Sequence, residues 1–246
     1  MLELRAMKMP EPAEICVLIT GASSGIGAGL AREFSRRGMR VALVARRIAQ
    51  LEVLGTELRA TGVPASAHCG DVTVDGDIAR VVGELAALGV APHIVIANAG
   101  FGVVGNAANL DLADYRRQFE TNVFGVVRTL HESLPALRNT QGRFVIMGSV
   151  AGHLSSAGSS PYTMSKFAVR ALAEALHGEL RSAGQIDLVY ANFELEPAAM
   201  NFKLCKAVRQ HAVDRRARKC REQIAAVRRT GRTRTRTRCS IWRTGW

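Results

Sequence analysis

The sequence predicts a doubly wound α/β fold, a parallel sheet with helices on both faces. Three observations predict it. Short apolar runs alternate along the chain with segments of helical periodicity. The runs are apolar throughout rather than at every second residue, as in strands buried on both faces of a parallel sheet. Glycines also cluster where the first run meets the first helical segment, in Thr20-Gly-Ala-Ser-Ser-Gly-Ile-Gly27. In such sheets ligands bind outside the carboxyl ends of the strands.

The elements follow in order. Ile15-Cys-Val-Leu-Ile-Thr20 is the first strand, ended by Gly21. Ile26, Leu30 and Phe34 then recur at helical spacing up to Gly38, a natural C-terminal stop. Residues 41–45 are the second strand, and residues 48–60 are helical until Gly62 and Pro64. Residues 65–72 are a weaker third strand, and residues 75–88 a helix ended by Gly89 and Pro92. Residues 93–97 are the fourth strand. Residues 111–137 read as one long helix with Pro135 near its end. Residues 143–148 are the fifth strand. Residues 161–183 are a helix with Val169, Leu172, Leu176 and Leu180 on one stripe, and residues 186–190 the sixth strand. The domain is predicted over residues 14–195, after an N-terminal extension of residues 1–13, and its crossovers are right-handed.

The composition limits what this domain can be. The chain has 246 residues, enough for one sizeable core. No run approaches the ~18 apolar residues of a membrane span. Met1–Met9 contains Glu3 and no apolar core, unlike a secretion signal. The five cysteines show no ligand-like spacing, so a reducing cytoplasm is expected and no metal site. Cys16 and Cys69 are expected as small core hydrophobes. The net charge of +12 is unevenly placed. Residues 201–246 carry 15 Lys and Arg against Asp214 and Glu222, a net +13, while residues 1–200 carry 18 bases and 19 acids, a net −1.

Two constellations carry chemistry. Gly21, Gly25 and Gly27 allow a tight turn that brings backbone N–H groups to a phosphate, at the positive end of the following helix. Ser23, Ser24 and Ile26 complete the expected cradle. A loop reading an unphosphorylated ribose would show Asp or Glu after the second strand. Here Arg46 and Arg47 stand there, and guanidinium groups match a 2′-phosphate. NADP(H) is therefore preferred, with NAD(H) the alternative and Arg46, nearer the strand, the chosen contact. The second constellation is Tyr162 and Lys166, four residues apart on one helix face, with Ser149 just past the fifth strand. An ammonium beside a phenol favours loss of the phenolic proton. The set suits proton transfer to or from an oxygen.

Taken together, these residues resemble the short-chain dehydrogenase/reductase family, of the TGxxxGxG and YxxxK type. Asp71-Val72 is similar to the family's adenine-contacting pair. Asn98-Ala99-Gly100 is similar to its NAG turn beside the cofactor, and Asn122 to its active-site asparagine. The resemblance covers roughly residues 13–193. It implies a Rossmann-like fold of three layers, α/β/α, and an oxidoreductase that moves hydride between NADP(H) and a carbonyl or secondary alcohol. Tyr162 would be the general acid and base, and Ser149 would hydrogen-bond the same oxygen. Lys166 would also hold the nicotinamide ribose, and Asn122 would support a water chain behind it. The resemblance further implies a homodimer or homotetramer through the helices at 111–137 and 161–183. Phe101, Gly102, His153 and Leu154 are expected to line a largely apolar substrate pocket, suited to a hydrophobic ketone or alcohol.

The resemblance stops after the sixth strand. The family's Pro-Gly turn is absent from Tyr190–Met200, where Pro197 is the one proline. Residues 196–246 form an atypical basic tail, expected to be poorly ordered. Its Arg229–Arg238 stretch is low in complexity, and self-repulsion keeps such a stretch extended. Three readings of the tail stand: an altered reading frame or replaced end, a disordered arm that touches nucleic acid or anionic membrane through phosphates, and a solvated tail. Phe202, Trp242 and Trp246 are few aromatics for stacking bases, which disfavours nucleic acid. The first reading carries an alternative function, a nucleotide-binding protein of the same fold with impaired or no catalysis.

Overall fold

The structure, a computed structural model, describes residues 11–182 and 186–191. Residues 1–10 of the extension expected at 1–13, and the tail expected from residue 196, lie outside these residues. Six strands form one parallel sheet: β1 Cys16–Thr20, β2 Arg40–Ala45, β3 Ala65–Cys69, β4 Ile94–Ala97, β5 Arg143–Met147 and β6 Asp187–Ala191. Their spatial order is β3-β2-β1-β4-β5-β6. The winding reverses between β1 and β4, which opens a crevice at their carboxyl ends. The helices are α1 Gly25–Arg36, α2 Ile48–Arg59, α3 Asp77–Ala87, α4 Leu112–Phe119, α5 Gly125–Thr140 and α6 Ser160–Ser182. This is the Rossmann-like three-layer fold that the strand pattern implied.

The layers follow from the two-residue period of a strand. Val17 and Ile19 of β1, Val41 and Leu43 of β2 and Ile96 of β4 pack with Leu30 of α1 and Leu51, Leu54 and Leu58 of α2. Their neighbours Leu18, Ala42, Val44, Val95 and Ala97 join Phe144 and Ile146 of β5 on the other face. There they meet Ile78, Val81 and Leu85 of α3, Val126, Leu130 and Leu137 of α5, and Val169, Leu176 and Leu180 of α6. Each large side chain buried this way stabilises the fold by about 1.5–3 kcal/mol. Within that layer Glu132 of α5 ties α5 to α3. Its carboxylate accepts from the amides of Gly76 (2.8 Å) and Ala79 (2.9 Å) at the N-terminus of α3, where the N-cap glycine has no side chain to do so.

Three departures from the sequence pattern bear on the site. β3 ends at Cys69 rather than residue 72. A Cβ at Gly70 would lie 2.9 Å from Val44 Cγ1, and Asp71 Oδ1 accepts from Thr73 N at 2.9 Å, which turns the chain. Cys69 is accordingly exposed, whereas Cys16 is buried as expected and burial pushes its thiol up to about 12. The long helix is present but not uniform. Its junctions keep helical backbone, and a π turn over Glu120–Phe124 interrupts the α ladder between α4 and α5. Pro135 lies within α5, which runs on to Thr140, where Oγ1 donates to Pro92 O at 2.9 Å. Among the described residues no helix is long and apolar enough to cross a membrane.

Candidate active site

A cleft of about 880 Å³ opens along the carboxyl ends of β1, β2, β4 and β5. One end is the glycine loop. Gly21 has φ +66°, and a Cβ there would lie 2.8 Å from Ala99 Cα. A Cβ at Gly27 would meet Gly21 O at 2.4 Å and Asn98 Nδ2 at 2.7 Å. Gly25 has φ +56° and open space beside it. Ser24, the N-cap of α1, makes no side-chain cap bond, so Gly25, Ile26 and Gly27 bring uncapped first-turn amides to the cleft wall. Thr20 fixes this loop to the next crossover: its Oγ1 donates to Ile96 O at 3.3 Å and accepts from the amides of Asn98 and Ala99, both at 3.1 Å. Asn98 Nδ2 donates back to Thr20 O at 2.9 Å.

The two arginines after β2 diverge. Arg47 reaches over the loop and its Nη2 donates to Ser23 Oγ (2.9 Å) and Ser24 Oγ (3.0 Å). Arg46 turns the other way, with Nη1 3.7 Å from Asp71 Oδ2. Asp71, Val72, Ala99 and Gly100 line the same cleft.

The other end of the cleft holds Tyr162 and Lys166, one turn apart at the start of α6. Lys166 Nζ donates to Met147 O at 2.8 Å and lies 5.8 Å from the centre of the Tyr162 ring. Burial lowers the ammonium to about 8, because the charged form loses water there. Asn122 sits in the π turn and is 2% exposed. Its Oδ1 accepts from Phe101 N (3.1 Å), and its Nδ2 donates to Phe101 O (2.9 Å) and Ser165 Oγ (3.1 Å). Both hydrogens of that amide are thereby used.

Ser149 stands at the C-terminal edge of β5 and is half-buried, just outside the residues that line the cleft. Its Oγ accepts from Ala151 N at 3.1 Å, which leaves the hydroxyl hydrogen to donate elsewhere. Phe101 and Gly102 line the cleft. His153 and Leu154 do not; both are exposed, and Arg170 Nη1 lies 3.0 Å from His153 Nδ1. Three residues that sequence reasoning did not select hold the site's residues from behind without lining the cleft: Thr20, Gln118 and Ser165. For Gln118 the available signal was its place one helical turn before Asn122.

The comparisons with known proteins agree with this fold. The family model for short chain dehydrogenase matches residues 15–211, and so runs past residue 195. An "uncharacterized oxidoreductase" of Myxococcus xanthus is 37% identical over 188 residues, 75% of this chain and 74% of that protein. The match spans 50–74% of the length of the first curated relatives. An alcohol dehydrogenase of the archaeon Thermococcus sibiricus, solved with 5-hydroxy-NADP, superposes with a TM-score of 0.68 at 29% identity, covering 72% of this chain and 74% of that one. A short chain dehydrogenase/reductase from Burkholderia phymatum, solved with NAD, gives 0.70 at 29% identity over 75% of this chain and 66% of that one. With the motif residues set along one cleft and these likenesses beside them, the chain belongs to the short-chain dehydrogenase family of oxidoreductases.

Proposed function

We propose that the chain is an NADP(H)-dependent enzyme that interconverts a carbonyl and a secondary alcohol, with Tyr162 as the acid and base. The observation that carries this reading is that the glycine loop and the Tyr162–Lys166 pair share one cleft. The fit to a dinucleotide rests on the uncapped amides of α1 and on glycines whose added Cβ atoms would close the cradle. When bound, the nicotinamide gives or accepts the hydride at the substrate carbon. Tyr162 passes a proton to or from the substrate oxygen. Lys166 holds a positive charge near the phenol, anchored on Met147 O, and favours the phenolate as the proton leaves. Ser149 donates its hydroxyl hydrogen to the same oxygen and orients it.

Preference for the phosphorylated nucleotide rests on side chains. No acid follows β2, while Arg47 with Ser23 and Ser24 forms a cluster of donors and Arg46 stands beside Asp71. The solved neighbours carry either nucleotide. Side-by-side fluorescence titrations with NADPH and NADH test the reading. NADPH is expected to bind tighter, and Arg47→Ala to weaken it about tenfold with little change for NADH, the loss of one charged hydrogen bond. Equal affinities for the two nucleotides would overturn the preference.

A harsher test of the cradle is Gly27→Ala. The new methyl meets backbone at 2.4 Å, which a flexible side chain cannot relieve. Nucleotide binding is expected to be lost while circular dichroism keeps the α/β signature. Wild-type affinity in that variant would place the nucleotide elsewhere. The substrate side is read as apolar, from Phe101 and Gly102, and as suited to a hydrophobic ketone or alcohol. Exposed Phe124, Met164 and Phe167, from the π turn and α6, support a homodimer or homotetramer through these helices. A cytoplasmic location completes the reading.

A further inference from the structure

We propose that Gln118 is a positioning residue. Together with Asn122 it clamps the Phe101–Val103 segment beside the ring of Tyr162, and so borders where the phenol stands relative to bound substrate. The proposal rests on the reading of Tyr162 as the acid and base.

Gln118 closes the last turn of α4, four residues before Asn122 in the π turn, and its exposure is 0%. Its two amide ends grip two residues of one segment. Oε1 accepts from Val103 N at 2.7 Å, and Nε2 donates to Phe101 O at 2.5 Å. Asn122 Nδ2 donates to that same carbonyl at 2.9 Å, and Asn122 Oδ1 accepts from Phe101 N at 3.1 Å. Phe101 O thus accepts from two amides at once, which uses both its lone pairs. An aliphatic side chain would fill the space of Gln118 without the cost of burying an amide. It would also leave Val103 N without its acceptor and Phe101 O with one donor.

The gripped segment passes beside the site at Gly102. A Cβ added there would lie 3.5 Å from Tyr162 Cδ2 and 3.7 Å from Cγ, so the glycine backbone runs next to the phenol ring and borders the space in which it can move. The main chain of Tyr162 is held from the other side, because Ser165 Oγ donates to Tyr162 O at 2.7 Å and accepts from Asn122 Nδ2 at 3.1 Å. Ring and main chain of the tyrosine are therefore referred to one pair of side-chain amides. Gln118 acts through Gly102 and touches no reacting atom.

The test compares the full-length wild type with Gln118→Met and Gln118→Glu. Amide hydrogen exchange over residues 101–103 reads the clamp itself. NADPH titration reads the cradle, and kcat and KM on a carbonyl found by screening read the position of Tyr162. In Gln118→Met, Val103 N is expected to exchange at least about tenfold faster. NADPH affinity is expected to hold, and kcat to fall roughly ten- to hundredfold with a smaller change in KM, since a displacement of about 1 Å can cost that much. In Gln118→Glu the carboxylate still accepts from Val103 N but repels Phe101 O. That variant is expected to keep Val103 protected and to recover kcat as the pH falls and its carboxyl gains a proton to donate. Unchanged exchange at Val103 in Gln118→Met overturns the clamp. Fast exchange with wild-type kcat overturns the positioning role. Should Gln118→Met not fold, the pH-dependent recovery of Gln118→Glu decides alone, and its absence overturns the proposal. A wild type that turns over no carbonyl would end the oxidoreductase reading by itself, while the exchange rates would still decide the clamp.

Discussion

Tyr162→Phe is expected to lower turnover by about 10²–10⁴-fold, the usual contribution of a placed proton donor, and to leave nucleotide affinity unchanged. The two effects separate because the ring and the hydroxyl do different things. The ring stands beside Gly102, with room between them that phenylalanine leaves unchanged. The hydroxyl alone carries the proton. Rates of single turnover in both directions, with fluorescence titration of NADPH alongside, check the expectation. Wild-type turnover in Tyr162→Phe would assign the proton to another group. Loss of nucleotide binding would mean that the phenol helps to build the cleft rather than to work in it.

Lys166→Met is expected to abolish turnover to a similar degree and yet to stabilise the protein at neutral pH. The reason is the burial of its ammonium. Folding lowers this group from 10.5 to about 8. Between those values the unfolded chain binds more protons than the folded one, so stability rises with pH across the window. The burden is present in full below about pH 8 and is gone above the unfolded value. At roughly 1.4 kcal/mol for each unit, it amounts to about 3 kcal/mol. The lost hydrogen bond to Met147 O offsets roughly 1 kcal/mol of the gain. Urea unfolding of wild type and variant across the window measures the difference. The variant should be more stable by about 2 kcal/mol at neutral pH, and that advantage should shrink as the pH climbs. A destabilised variant with no such trend would show that the lysine stays hydrated.

Much of the fold could be read along the chain because strands buried on both faces are apolar at every position. Cys16–Thr20, Arg40–Ala45 and Ile94–Ala97 fall within a residue or two of their expected bounds. Tyr162 and Lys166 could be paired because four residues bring side chains onto one helix face. What resisted reading depends on direction rather than periodicity. Arg46 was chosen over Arg47 by nearness to the strand; both line the cleft, and it is the turn into α2 beyond the strand that carries Arg47 to the loop serines. Cys69 looked like a core residue until the turn at Asp71 ended its strand early. His153 looked like a pocket residue, but it is exposed beside Arg170 and outside the cleft lining. Gln118 went unnoticed because a glutamine in a helix ordinarily faces water, and nothing local marks one that has an irregular segment to hold.

The π turn at Glu120–Phe124 has a consequence for how this chain can change. A π turn is in effect one residue inserted into an α-helix. Losing one codon between Gln118 and Asn122 would let α4 and α5 run on as a single ladder, and every later contact of α5 with the sheet would keep its register. Gln118 would then sit three residues before the asparagine instead of four, turned by about 100° around the helix relative to it and away from Phe101. Such a deletion variant would keep its core and lose its grip on the active-site segment. Here a single codon separates the heritable scaffold from the heritable site.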